Sequence, residues 1–94
     1  MNKAEAKEIL AQELFRLQEK SFEDLQKFIN SPEVIELAGA SGVSYQIEIQ
    51  AFWDNPRESF GDLRIIASID DGRFLSALLP LSSDFIMSSD GKVK

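Results

Sequence analysis

Between Tyr45 and Asp54 the chain reads Tyr-Gln-Ile-Glu-Ile-Gln-Ala-Phe-Trp-Asp, and apolar and polar residues alternate strictly as far as Ala51. A period of two is the period of an extended chain. It puts Tyr45, Ile47, Ile49, Ala51 and Trp53 on one face and Gln46, Glu48 and Gln50 on the other. Only Phe52 breaks the polar row. This run predicts a half-buried strand over 43–53 and fixes which of its faces meets the core.

A strand needs partners, and the same parity finds them. Glu33 to Ala38 reads as a preceding strand. A three-residue loop, Ala40-Ser41-Gly42, pairs Leu37 with Tyr45 and Ile35 with Ile47, whereas loops of two or four residues mismatch the apolar rows. The odd loop also puts glycine where a left-handed conformation is needed. Downstream, 62–70 alternates Leu63, Ile65, Ala67 and Ile69 against Arg64, Ile66 and Ser68, which predicts a third strand. Asp70-Asp71-Gly72-Arg73 then carries a strong hairpin signal, expected as a two-residue type I′ turn. That turn aligns a strand at 74–79 with the third, matching Ile69 with Phe74, Ala67 with Ser76 and Ile65 with Leu78. The segment 84–87 offers a further short strand, and 88–94 reads as a frayed tail.

Two helices precede the strands. Over 3–19, Ala6, Leu10, Leu14 and Leu17 share one side, and Ile9 widens the stripe to about 140°. Phe15 falls outside the stripe, which destines it either for the following segment or for a contact between chains. Ser21-Phe22-Glu23-Asp24 fits a capping pattern opening a shorter helix over 21–30, with Phe22, Leu25, Phe28 and Ile29 inward. Asn30-Ser31-Pro32 ends it, since asparagine tolerates a left-handed cap and proline disfavours helix before it. The expected architecture is one α+β domain over 1–94, with both helices on one face of a four- to five-stranded antiparallel meander. Its core should include Leu10, Leu14, Leu17, Leu25, Phe28, Ile47, Ile49, Trp53, Ile65 and Ile69. The expected radius of gyration is roughly 12 Å.

The strings Tyr45-Gln46-Ile47-Glu48-Ile49-Gln50, Phe52-Trp53-Asp54 and Asp70-Asp71-Gly72 carry a resemblance over about 4–90. The chain resembles a group of small bacterial hypothetical proteins with a helical N-terminus followed by such strands. Its relatives often carry tryptophan shortly after the Asp-Asp-Gly turn, where this chain has Phe74. The resemblance implies a bacterial α+β domain and brings no site residues or activity with it.

Composition narrows the chemistry. The 94 residues contain no cysteine and no histidine. Disulfides, thiolate metal sites, imidazole bases and every Ser-His or Cys-His nucleophile pair are thereby removed. A net charge of −6 argues against nucleic acid, which demands lysine and arginine clusters. The charged N-terminus and the lack of a long apolar run lead to the expectation of a cytoplasmic protein without membrane contact.

No catalytic residue, metal ligand or cofactor is expected. Asp54 and the Asp70-Asp71 pair belong at opposite ends of the third strand, and turn chemistry explains them. Glu48, Trp53 and Arg64 form the one candidate small-molecule or hydrolytic site, with Arg57 as a further neighbour for ligand stacking. The stronger candidate is a contact surface. Phe52, Ile66, Leu75 and Leu79 make the outer face partly apolar beside Gln46, Glu48 and Gln50, which suits a homodimer or another protein partner. Either that face or the sheet edges would pair. The rival expectation folds 81–87 back over the patch and leaves a monomer.

Overall fold

The computed structural model describes residues 2–55, 57, 61–73 and 80–94. Helix α1 runs Lys3–Gln18, and α2, Phe22–Gln26, tightens into a 3₁₀ turn at Lys27–Ile29. Strands β1 (Glu33–Ala38), β2 (Ser44–Trp53), β3 (Leu63–Asp70) and β4 (Leu81–Met87) follow. They form one antiparallel sheet in the order β1-β2-β3-β4. The fold is therefore α+β, with sequential strands adjacent.

Each helix starts on a side-chain cap. Asn2 Oδ1 accepts from Glu5 N at 3.1 Å, and Ser21 Oγ accepts from Asp24 N at 3.2 Å. These bonds satisfy amides that have no partner inside a helix. The expected left-handed cap at Asn30 is not found. Asn30 stays right-handed at φ −100°, because the 3₁₀ turn closes on it, its amide donating to Lys27 O.

The β1–β2 hairpin has the register that parity requires, with Leu37 opposite Tyr45 and Ile35 opposite Ile47. Gly39 N donates to Val43 O at 2.8 Å, so the loop between them is the three residues 40–42. Gly42 occupies the left-handed region at φ 88°, where a side chain would be strained.

Buried and exposed residues alternate along β2 and β3. Tyr45, Ile47, Ile49, Ala51, Leu63, Ile65, Ala67 and Ile69 are buried, while Gln46 and Glu48 are exposed. Ala6, Leu10, Leu14 and Leu17 of α1 join them in one cluster with Leu25, Phe85 and Met87. Phe28 and Trp53 are half-buried against this cluster, and Trp53 meets Phe22 with ring centroids 6.3 Å apart. Phe15 does not pack under the segment that follows it: it is 67% exposed.

The partner of β3 differs from the expectation. Ile69 lies opposite Leu81, Ala67 opposite Ser83 and Ile65 opposite Phe85. The edge expected for 74–79 is thus occupied by β4, which is longer than 84–87. Residues 74–79, including Leu75 and Leu79, lie outside the described residues, and no fifth strand is found among those described. Asp70-Asp71-Gly72 does turn the chain: Asp70 Oδ1 accepts from Gly72 N at 2.8 Å. The physical reason for the exchange lies in patterning. The run 74–79 is apolar on both parities, whereas 81–87 alternates, with Phe85 and Met87 inward and Ser82 and Asp84 outward. A strand at the side of a one-face-covered sheet needs that alternation.

The expected frayed tail is corrected as well. Ser88 N bonds Lys92 O, and Lys94 N bonds Ile86 O, each at 2.8 Å. Val93 bridges Met87, and the Lys94 ammonium contacts Asp62. The chain end folds back along β4. The whole measures 40 × 23 × 19 Å with a radius of gyration of 13.8 Å, above the expected 12 Å. At about 3.3 Å per residue, the ten residues of β2 account for most of the long dimension.

Candidate functional site

The register places the outer face of the sheet residue by residue. At one end Glu36, Gln46 and Asp70 stand side by side, followed by Val34, Glu48, Ser68 and Ser82. Next come Gln50, Ile66 and Asp84, and then Phe52, Arg64 and Ile86. The face grades from polar at the first end to apolar at the second.

At the polar end, Gln46 donates to Glu36 at 3.3 Å and Gln50 donates to Glu48. The three residues expected to offer hydrogen bonds outward are thus engaged along the face. At the apolar end Phe52 is 49% exposed, and Ile66 and Ile86 are half-buried. Between them Arg64 is held by Asp54, with Nε and Nη2 at 3.1 and 2.9 Å from Oδ1, and on its other side by Asp84. Its hydrogen bond to Asp54, then that to Asp84, raise the guanidinium pKa. The ion-pair chain pins a planar cation beside Phe52 and Ile86. Ile86 is a member of this surface that the sequence reading did not name. Its parity against Phe85 and Met87 was the available signal.

Glu48, Trp53 and Arg64 do not form a site. Glu48 and Arg64 project from the outer face, and Trp53 turns inward against Phe22. Arg64 is occupied by two carboxylates, and Arg57 makes a local turn, its amide 3.0 Å from Asn55 Oδ1. Asp54 lies near the Leu63 end of β3, and Asp70 closes its other end. Among the described residues no group of three or more potential protein ligands is placed to hold a metal. No helix among them is long and apolar enough to cross a membrane.

A second polar constellation joins α1 to the β1–β2 loop. The Glu5 carboxylate accepts from Ser41 N at 3.0 Å, from Ser41 Oγ at 2.6 Å and from the Tyr45 hydroxyl at 2.8 Å. The hydrogen bond from Ser41, then that from Tyr45, hold Glu5 below the ordinary carboxylate range. Burial, then donation to Glu5, push the Tyr45 phenol up. A carboxylate so stabilised is a weakened base, which makes it a clasp rather than a proton acceptor. Gly39 permits the clasp, since a Cβ there would lie 2.3 Å from Glu5 Oε1. Separations of 36 and 40 residues left no local sequence signal for it.

Beside the clasp, a groove of about 510 Å³ runs between α1 and β1, with Ile9, Leu37 and Ile47 along it and Glu5, Glu8, Glu13 and Arg16 among its lining side chains. Arg16 pairs with Glu13. No protein-family model, curated protein or solved structure matches this chain.

Proposed function

We propose that this chain is a small non-enzymatic protein-interaction module that self-associates through the apolar end of its outer sheet face. The observation that carries the reading is Phe52, half-exposed on the face opposite the core, with Ile66 diagonal to it and Ile86 on the far side of Arg64. The rival cover for this face is removed, because Leu81–Met87 is a strand within the sheet and does not fold back over it. An apolar group flanked by fixed charges suits a contact that buries the centre and leaves a polar rim. A two-fold arrangement matches the patch to itself. The lack of histidine and cysteine, and the separation of Glu48 from Trp53, support a binding role over a hydrolytic one. A location in the cytoplasm goes with this reading, and the acidic balance of the chain supports no part in nucleic-acid binding.

Sedimentation velocity at micromolar concentration tests it. The expected result is a species of twice 10.6 kDa that Ile66→Asp or Phe52→Asp converts to the monomer with the circular dichroism spectrum unchanged. A single species near 10.6 kDa across that range rejects it.

A further inference from the structure

We infer that the free edge of β1 is a docking site for an extended basic segment of a partner protein, which adds to the sheet beyond β1. The docking uses the edge backbone, the groove on the opposite face and, on the outer face, Glu36 at the polar end, so it is independent of the contact at Phe52.

The backbone supplies the first argument. Gly39 N donates to Val43 O across the hairpin, and antiparallel pairing alternates from there. Glu33, Ile35 and Leu37 therefore direct their amides and carbonyls to β2. Val34, Glu36 and Ala38 direct theirs away from the sheet, and among the described residues no strand pairs with that side. The other sheet edge is partly covered, since Val93 and Lys94 pair with the end of β4. An open edge is a template for strand addition, with main-chain bonds giving affinity and pockets giving selectivity.

The pocket is the second argument. Helix α1 meets β3 and β4, so the inner side of β1 is incompletely covered: Ile35 and Leu37 remain half-buried. The groove between β1 and α1 is the result, with Ile9 and Leu37 as apolar walls. An added strand would direct alternate side chains into this groove.

Charge selects the occupant. Glu5, Glu8 and Glu13 line the groove and Glu33 and Glu36 sit on the strand, against one cation, Arg16, already paired. A second copy paired antiparallel about the middle of β1 would bring Glu36 against its own counterpart, which opposes pairing of like edges. A segment alternating basic and apolar residues satisfies both surfaces: its cations meet Glu36 on the outer side and its apolar residues enter the groove.

The test uses the whole chain and a six-residue peptide of alternating lysine and leucine, acetylated and amidated, matched to the six residues of β1. In amide-resolved NMR hydrogen exchange, the expected result is new protection at Val34, Glu36 and Ala38. Binding should fall about tenfold, the loss that reversing a contacting charge brings, in Glu36→Lys. Val34→Pro removes one outward amide on an edge where proline is tolerated and should weaken binding comparably. Equal binding of the glutamate-leucine peptide, or protection absent from these three amides, overturns the proposal and leaves the edge acids as a guard against strand pairing.

Discussion

Single residues in this chain do long-range work through shape as much as charge. Gly39 is the clearest case: its missing side chain is what lets the Glu5 carboxylate reach Ser41 and Tyr45. Gly39→Ala should therefore lower the thermal midpoint by a few degrees, and Glu5→Ala should do the same. Gly39→Ala/Glu5→Ala should be little worse than either alone, because both act on one contact. Thermal unfolding of the set checks this, and additive losses would detach Gly39 from the clasp. A pH dependence follows. Since the folded Glu5 lies below its ordinary value of 4.5, its contribution is complete above that value and is lost as pH falls through the lower folded one. Glu5→Gln should thus flatten the acid limb of the stability profile below pH 4.5, measured by denaturant midpoints.

Elements follow their hydrophobic period where one face alone is buried. Ile49 is fully buried at the centre of β2 and Glu48 beside it is exposed. Ile49→Ala should cost about 2–5 kcal/mol, and Glu48→Ala should stay within about 0.5 kcal/mol, both read from urea unfolding. At the start of α2, Ser21→Ala should cost about 1 kcal/mol through the lost Asp24 cap. The parity of β2 was legible residue by residue and carried the β1–β2 register with it; the β3 faces followed from the alternation of β3 itself and the α1 stripe from its helical period. The fourth strand was not legible in the same way. Asp71-Gly72 favours immediate reversal, a local preference, whereas the strand that pairs with β3 is chosen by alternation at Leu81, Phe85 and Met87. Burial of one face decides which strand pairs with β3. The clasp was hidden for a related reason: Glu5 reads as one helix-surface acid among several until Ser41 and Tyr45 are brought to it.

At the scale of the whole molecule, a long four-stranded sheet has one face in the core and the other graded from acid and amide to apolar. The sequence placed Phe52 and Ile66 on that outer face but missed Ile86, whose strand it had shortened. Phe52, Ile66 and Ile86 surround an arginine that is already neutralised by Asp54 and Asp84, so burying this end strands no unpaired charge. That arrangement is the centre of the account, and an isotope-filtered NOE experiment on a mixed labelled and unlabelled sample tests it most directly. Intermolecular contacts from the Ile66 and Ile86 methyls to the Phe52 ring are the expected result. Intermolecular contacts confined to Phe15, or none at a concentration where sedimentation shows a dimer, would contradict it.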